Sequence, residues 1–370
     1  MSFISIIYAY QDRDTSRIKA SLDSLQQQSS NTDFEVIFVD YGSNEDYQKP
    51  IQQLVKSYFF VKYYYIGHPG LLWCKARALN YGIKKAEASK LFIADADVVF
   101  HDEFLKAINH LDLSIAFYLF DIAYLSQKMT AEDVITTPFQ DKDFTHVHDT
   151  FGVGLFSKEA LLKVNGLDTY FHFYGSEDED LNRRLQQAGY KKEKCEGVWL
   201  QHIWHKRYPK SKDKCYTIAP RIYNIMRINQ QHMFYNDQFE VGYTSRGIDS
   251  TTYFSSTDYE RLQQPEKVYQ CSNKCAEVDH CINFVMDEWF NIYKTVEFKF
   301  TESYLPKTKK YKIKKGFGKT VHAYYDFKTV NDLLLKQLLF KYRDYNYKLS
   351  LVKSPNQIQL TIENPGHDKL

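Results

Sequence analysis

The sequence lacks several features that mark whole classes of protein. No run of apolar residues approaches the length of a membrane-spanning helix. The N-terminal stretch carries no basic leader, so we interpret it as a first strand and not as a signal peptide. The net charge is only +2, which gives no general argument for nucleic-acid binding. We therefore expect a cytoplasmic protein, with peripheral contact on the inner membrane left open.

Familiar nucleotide-binding and zinc-binding patterns are also missing. No G-x-G-x-x-G follows the first predicted strand and no Walker-type loop occurs, which argues against a nicotinamide or P-loop site. A bound diphosphate would then need a metal and cationic side chains, such as Lys75 and Arg77, although both also suit a solvated helix face. Cys271, Cys275 and Cys281 match no zinc spacing, and we interpret them as free thiols.

What the sequence does contain is typical of a folded α/β protein. Hydrophobic residues make up 44% and charged residues 25% of the 370, which are near globular averages. Apolar strands alternate with helices of about a dozen residues through the first hundred positions, which predicts a mostly parallel sheet flanked by helices. This rhythm is lost near residue 235. We therefore predict one α/β domain at 1–235 and a smaller C-terminal α+β region at 236–370.

The first functional pattern is a pair of carboxylates at the end of the apolar stretch Phe92–Phe100. Ligands of such sheets bind at the carboxyl ends of strands, and alternate residues of an extended segment point the same way. Asp95 and Asp97 can therefore address one Mg²⁺ or Mn²⁺ ion together. The alternative is a turn or a solvated loop. Asp40 ends the second predicted strand at the same edge, where a carboxylate can accept from a base or a ribose hydroxyl.

The second pattern is an acidic run at the start of a predicted helix, Gly175–Leu185. Ser176 and Glu179 have the spacing of a capping box, and acids in the first turn favour the positive helix end. A well-capped helix is therefore one interpretation. The other is that a carboxylate such as Asp178 projects into a cleft and acts as a general base on a sugar hydroxyl.

The third pattern is an apolar strand that ends in two histidines, His202 and His205. Neutral imidazole could complete the coordination of a metal that carboxylates hold. A structural pair of histidines is the alternative. After two acidic patterns we favour His205 as a metal ligand and leave open whether His202 shares the site.

In this order, the three patterns resemble inverting glycosyltransferases of the GT-A fold. The start of the chain, with Val39–Ser43 and then Asp95–Asp97, resembles the family 2 type. The segment Phe151–His205 is similar to the catalytic part of β-1,4-galactosyltransferases and of bacterial chondroitin-type polymerases. Their Gly-Gly-Glu-Asp-Asp-Asp-like run stands here as Gly175–Asp180. The similarity spans roughly residues 1–210.

The resemblance implies a role for each matching residue. Asp40 would contact uracil, Asp95 the ribose or the metal, Asp97 and later His205 would bind Mn²⁺ or Mg²⁺, Asp178 would be the catalytic base, and Glu177 would hold the acceptor or donor sugar. Tyr8 and Arg77 complete the expected donor-binding residues. Three places depart from the family pattern. Tyr41 replaces the acid usual after Asp40, Tyr10–Asp12 is an unusual end for the first strand, and Ser176 replaces a glycine.

We therefore expect a metal-dependent, inverting glycosyltransferase. It would move a sugar from a UDP-sugar to a hydroxyl of an oligosaccharide, polysaccharide or lipid-linked acceptor. One alternative is a metal-dependent nucleotidyltransferase, which also pairs a nucleotide with carboxylates. The other is a carbohydrate-binding or scaffold protein that has lost its chemistry.

Two further segments carry structural predictions. Residues 121–150 are polar and predicted to form a long irregular loop. Residues 306–319 are dense in lysine, and their alternation with Tyr311, Ile313 and Phe317 predicts a basic strand or hairpin. This run suits a solvated face, an anionic acceptor polysaccharide or an acidic membrane surface. Residues 330–342 are predicted to form an amphipathic helix.

Overall fold

A computed structural model of the chain describes residues 3–30, 32–205, 222, 224–353, 356–364 and 366. The strands that it describes are β1 Ile4–Tyr10, β2 Phe34–Tyr41, β3 Val61–Ile66, β4 Lys90–Ala94, β5 Val98–Phe100, β6 Ala116–Leu125, β7 Phe144–Ser157, β8 Lys191–His202, β9 Lys267–Ser272, β10 Thr295–Thr301, β11 Asn346–Lys353 and β12 Asn356–Glu363. The α-helices are α1 Thr15–Gln26, α2 Glu45–Val55, α3 Lys75–Lys85, α4 Phe104–Asn109, α5 Ala131–Thr136, α6 Lys158–Lys163, α7 Glu177–Gln187, α8 Ile225–Phe239, α9 Ser256–Arg261, α10 Cys275–His280, α11 Met286–Ile292, α12 Lys309–Gly316 and α13 Phe327–Gln337.

The chain divides into two compact units. The first comprises Met1–Ile66, Trp73–Tyr208 and Met226–Thr251, and the second comprises Gly67–Leu72, Pro209–Ile225 and Thr252–Leu370. The domain boundary predicted after residue 235 stays a prediction. None of the helices in the described part of the chain is long and apolar enough to cross a membrane.

The first unit is built on one eight-stranded sheet, in the order β3-β2-β1-β4-β7-β6-β8-β5. The pairs β3–β2, β2–β1 and β1–β4 are all parallel. β7 pairs antiparallel with β4 and with β6. β1 and β2 are almost continuously apolar and buried, as strands covered by helices on both faces must be. The predicted α/β fold with a mostly parallel sheet is confirmed.

The topology places the functional edge of the sheet at the ends of the early strands. β1, β2 and β4 are parallel, so their carboxyl ends, at Tyr10, Tyr41 and Ala94, lie on one edge. Side chains that follow these strands are therefore brought together although they lie far apart in sequence.

The second unit contains a four-stranded sheet in the order β11-β12-β10-β9. β12 pairs antiparallel with β10 and β11, and β9 pairs parallel with β10. Strand residues such as Phe298 and Leu360 are buried, as is Leu334 of α13. The expected smaller C-terminal α+β region is confirmed. The cysteines that the structure describes, Cys74, Cys195, Cys271, Cys275 and Cys281, are free thiols, as predicted for the last three.

Two structural predictions were wrong. Residues 121–150 are not one irregular loop, because β6 continues to Leu125, α5 follows, and β7 begins at Phe144 and pairs with β6. That pairing depends on a distant strand, which local composition does not reveal. The lysine-rich run forms helix α12 and not a strand, because Thr308 caps it and lysine favours helices. The predicted amphipathic helix is confirmed as α13, which begins at Phe327 and continues as a π-helical turn to Tyr342.

A buried arginine anchors α7 to the rest of the first unit. Arg184 is fully buried, its Nε donates to Asp180 Oδ2 at 2.8 Å, and its Nη1 donates to the carbonyls of Val164 and Gly166, both at 2.8 Å. The carbonyls belong to the turn after α6, so this side chain joins two helices. It therefore sets the position of α7.

We expect Arg184→Met to lower the free energy of unfolding by about 3–5 kcal/mol, because it removes the buried cation that neutralises Asp180 and leaves two carbonyls without their donor. Chemical denaturation measures this loss. The matched control is Arg183→Met, whose side chain is partly exposed and pairs with Glu179 and Asp237. It should cost less than about 1 kcal/mol. Equal losses in the two variants would contradict the anchoring role.

Candidate active site

Asp95 and Asp97 lie in the turn between β4 and β5, directly after the buried strand that the sequence predicts. β5 pairs antiparallel with β8, with Val98 opposite His202. The backbone N–H of Ile203 donates to the Asp97 carbonyl at 3.0 Å, which extends this pairing. The end of β8 is therefore held beside the aspartate turn, and the first and third sequence patterns meet.

Asp97, His202 and His205 form a group that could hold a metal ion. Their potential ligand atoms all lie within 4.8 Å of one another. His202 Nε2 is 3.5 Å from Asp97 Oδ1, and His205 Nε2 is 3.4 Å from Asp97 Oδ2. Asp97 is buried, and its Oδ1 accepts no hydrogen bond from the described residues. A carboxylate with two imidazoles fits a divalent metal.

Two arginines share the Asp97 carboxylate. Nη1 of Arg17 and Nη1 of Arg13 lie 3.1 Å and 3.4 Å from Asp97 Oδ2. We did not single out either residue from the sequence. The available signal was their place, just after β1 and in the first turn of α1, at the same sheet edge as the aspartates. Guanidinium groups suit phosphate oxygens, so this end of the site could bind an anion as well as a cation.

Lys75 joins the aspartate turn to the acidic helix start. Its Nζ lies 3.1 Å from Asp95 Oδ1 and 3.6 Å from Asp178 Oδ1, and its side chain is 16% exposed. Burial acts to lower the pKa of Lys75, but Asp178, Asp95 and Glu177 outweigh burial and raise it. Burial likewise acts to raise the pKa of Asp95, yet the ammonium group of Lys75 outweighs this and lowers it. Both groups therefore carry their charges at neutral pH.

Glu177 and Asp178 are the first two residues of α7, and their carboxyl groups hold protons more tightly than ordinary acids. Burial, with repulsion from Asp178, raises the pKa of Glu177 from 4.5 to about 7. Burial also raises the pKa of Asp178, although Lys75 opposes the rise. A carboxylate with a raised pKa is a better proton acceptor near neutral pH.

Gly152 of β7 leaves the space that the Asp178 carboxylate occupies. A Cβ atom at this position would lie closer to both carboxylate oxygens of Asp178 than van der Waals contact allows. Any other residue at 152 must therefore displace the carboxylate. The glycine sets the place of Asp178 by its missing side chain, a role that the sequence alone did not reveal.

The loop before α7 is held in an unusual backbone conformation. Phe173, Gly175 and Ser176 all have positive φ, at 66°, 96° and 72°. Asn229, which is buried, donates from its side-chain amide to the carbonyls of His172, Tyr174 and Gly175, each at 3.1 Å. The side-chain nitrogen of Asn229 thus holds three carbonyls of this loop close together.

The predicted capping box at Ser176 was wrong. An N-cap residue that bonds the first turn through its side chain usually has extended backbone angles. Ser176 is left-handed, and its side chain makes no capping hydrogen bond to α7. The physical reason is the turn set by the preceding loop, which rotates Ser176 away from extended geometry.

The remaining predicted donor residues are buried in the first unit, two in the sheet and one in a helix. Tyr8 is buried and its hydroxyl is 2.7 Å from Ser21 Oγ. Asp40 accepts from Tyr63 Oη at 2.8 Å and from the Ser43 N–H at 3.2 Å, and burial raises its pKa to about 6. Arg77 is buried in α3. Their assignment to donor binding, and that of Asp95 to the metal, stay predictions.

The raised pKa of Glu177 predicts a pH-dependent stability. A carboxyl group with a pKa of about 7 in the fold and 4.5 as its ordinary value stabilises the fold fully below pH 4.5. This contribution is lost as the pH rises to about 7. We therefore expect the unfolding free energy of the wild type, minus that of Glu177→Gln, to fall between about pH 5 and about pH 8.

Urea unfolding of both proteins across this pH range measures the difference. The Glu179→Gln variant controls for the loss of one negative charge from the same helix turn, at a partly exposed position. A difference between wild type and Glu177→Gln that stays level or rises with pH would contradict the raised pKa.

Comparison with known protein families matches two parts of the chain. Residues 5–113 match the glycosyl transferase family 2 model, and residues 138–219 match the model of the N-terminal domain of galactosyltransferase. The first match contains both residues of the Asp95/Asp97 pair. The second contains the α7 helix and both histidines of the candidate metal group. No curated protein sequence matches the chain.

Solved structures of low identity were also found. They include the crystal structure of S. aureus TarS, at 16% identity and a TM-score of 0.41, over 55% of this chain and 37% of that chain. A TarS 1–349 structure in complex with UDP has 15% identity and a TM-score of 0.40, over 55% and 61% of the two chains. Another TarS 1–349 structure has 16% identity and a TM-score of 0.40, over 55% of this chain and 60% of that chain.

The chain thus spans less than two thirds of each of these structures. The sheet flanked by helices is the GT-A-like arrangement that the resemblance implied. The aspartate pair falls within one family match, and the α7 helix and the histidines fall within the other. The chain therefore resembles family 2 glycosyltransferases over its first third and galactosyltransferases around α7, and these matches support a glycosyltransferase.

Proposed function

We propose that the protein is a metal-dependent, inverting glycosyltransferase that moves a sugar from a UDP-sugar to a carbohydrate hydroxyl. The observation that carries the proposal is the position of Lys75 between Asp95 and Asp178. The ammonium group of Lys75 contacts both acids. In this proposal Asp95 lies on the side of the sugar donor, and Asp178 lies on the side of the acceptor. A donor sugar and an acceptor hydroxyl that address these two carboxylates would meet within one small space.

On the donor side, Asp97, His202 and His205 would hold the metal, and Arg13 and Arg17 would contact the diphosphate. In the described arrangement both arginines contact Asp97. Diphosphate oxygens offer them stronger, bidentate partners, so donor binding would leave Asp97 to the metal. Asp40 at the end of β2 would accept from uracil, with Tyr63 holding its carboxylate.

On the acceptor side, Asp178 would act as the general base. Its carboxylate takes the proton from the acceptor hydroxyl as that oxygen attacks the anomeric carbon in a single displacement. The sugar configuration inverts, so an α-linked donor gives a β-glycoside. A bound Mn²⁺ or Mg²⁺ would offset the charge that develops on the departing diphosphate. Glu177 would hold a sugar hydroxyl beside the base.

Two exposed aromatic side chains lie close in sequence to the proposed catalytic and metal-binding residues. Tyr174, three residues before the first acid of the run, is 67% exposed, and Trp204, beside His205, is 42% exposed. Large exposed aromatic faces are suited to stacking on apolar faces of sugar rings. We assign them to contact with an oligosaccharide, polysaccharide or lipid-linked acceptor.

A panel of nucleotide sugars, with and without Mn²⁺, tests the proposal. We expect one UDP-sugar to raise the melting temperature only when metal is present, and UDP to be released slowly in that mixture alone. His205→Ala should raise the Mn²⁺ concentration needed for half-maximal stabilisation by about tenfold or more, because it removes one of three ligands.

His146→Ala is the matched control, since His146 is an exposed histidine of β7 outside the metal group. Release of pyrophosphate from a nucleoside triphosphate would instead identify a nucleotidyltransferase. Sugar binding without UDP release, in folded protein, would identify a carbohydrate-binding protein that has lost its chemistry.

The role of Asp178 has its own test. Asp178→Asn should lower the rate of transfer by about 10²–10⁴-fold, the usual scale for a general base, while the affinity for the UDP-sugar is retained. Glu179→Gln, one position further along α7, should retain its rate because Glu179 is partly exposed and pairs with Arg183. Weaker binding of the donor to Asp178→Asn in a calorimetric titration would make Asp178 a binding residue instead.

A further inference from the structure

The second unit contains a strongly basic stretch that the proposed chemistry does not use. Residues 303–325, here called the lysine segment, hold seven lysines and no aspartate, glutamate or arginine: Lys307, Lys309, Lys310, Lys312, Lys314, Lys315 and Lys319. The whole chain has a net charge of only +2. The other residues together are therefore net negative, and the lysine segment is a local concentration of positive charge.

The lysines of this segment are all exposed, and apolar side chains are exposed among them. Phe317 is 80% exposed, Ile313 57% and Leu305 59%. Ile313 and Phe317 are four residues apart, so they lie above one another on the same side of the last turn of α12. Single exposed apolar residues are common, but several of them within a basic helix and the turn before it are not explained by packing.

The helix α12 is held in place from its other side. Tyr311 Oη donates to the carbonyl of His322 at 2.5 Å, and its ring lies 5.9 Å from that of Tyr324. Thr308 caps the N-terminus by accepting from the Tyr311 N–H, and Gly318, with φ of +68°, follows the helix end. The centre of the lysine segment is therefore a helix whose lysines and apolar side chains are exposed to solvent.

We propose that the lysine segment docks the protein on a membrane surface that contains anionic lipids. Lysines near such a surface are attracted to the negative headgroups, while apolar side chains between them enter the boundary of headgroups and acyl chains. Lys309, Lys310 and Lys314 flank the stripe of Ile313 and Phe317, and their long side chains can reach headgroups while their stems cover apolar surface. This partner uses both features of the segment.

A soluble anionic polysaccharide is the other anionic partner that lysines could bind. It would contact the ammonium groups but would leave Ile313, Phe317 and Leu305 in water. The exposed apolar side chains therefore favour a lipid surface. Because this inference rests on the second unit, it does not depend on the sugar or the metal that the first unit uses.

Co-sedimentation of the full chain with vesicles tests the proposal. We expect binding to phosphatidylcholine vesicles that contain phosphatidylglycerol, little binding to phosphatidylcholine alone, and weaker binding at high salt. A triple variant, Lys309→Gln, Lys310→Gln and Lys314→Gln, should lower the partition coefficient on the order of 100-fold. A double variant, Ile313→Ser and Phe317→Ser, should lower it about tenfold.

The matched control changes three exposed lysines of the first unit, Lys56→Gln, Lys84→Gln and Lys128→Gln, and should bind vesicles like the wild type. Equal loss in this control would overturn the assignment, as would full binding by the lysine-segment triple variant. Full binding by the apolar variant would exclude insertion. Binding to heparin in solution, without binding to the vesicles, would assign the segment to an anionic polysaccharide. Circular dichroism and melting temperature establish that each variant is folded.

Discussion

The candidate active site depends on one charge arrangement, the ammonium group of Lys75 between the carboxylates of Asp95 and Asp178. Three acids converge here, since Glu177 also acts on the lysine. Without a cation they would repel one another and take up protons. At a separation of 4 Å, one opposite pair is worth about 4 kcal/mol at an effective dielectric constant of about 20, which is enough to hold them. Lys75 does not act equally on all three. The pKa of Asp95 is lowered, while those of Glu177 and Asp178 stay raised, so neighbouring acids differ in how tightly they hold a proton.

The same constraint explains the surroundings of Asp97. This carboxylate is buried, and a buried charge is costly unless it is paired. Arg13, Arg17 and two histidines surround it, so it is compensated without any ligand. The partners come from different elements, with the arginines before and within α1 and the histidines at and beyond the end of β8. An anionic ligand that drew the arginines away would leave a carboxylate and two imidazoles, which is a metal-binding set.

The sequence predicted most helices and strands of the first unit, but it did not predict which side chains contact one another in the site. Apolar runs that end in acids identified β2 and β4 and the edge on which Asp40 and Asp95 lie, because burial on both faces leaves a continuous pattern. From the sequence alone, Lys75 and Arg77 were equal candidates for the cation of the site. Residues two apart on a helix do not face the same way, so only one of them can reach the carboxylates. In the structure that residue is Lys75. Arg13 and Arg17 were missed because polar residues after a strand are also typical of loops. The helix α12 was missed because the alternation of lysines with apolar residues suggested a strand, and the capping residue Thr308 was not taken into account.

The position of Asp178 shows why such partnerships are hard to predict. Its carboxylate is bounded by the missing side chain of Gly152 in β7 and by the ammonium group of Lys75 in α3. Asn229 in α8 holds the left-handed loop that starts α7. None of these three residues has a distinctive chemistry by itself, and each lies in a different element. A left-handed Ser176 costs free energy, and such a conformation persists only where its surroundings determine it. Contacts from β7, α3 and α8 therefore agree on one place for the Asp178 carboxylate, and its raised pKa follows from that enclosure.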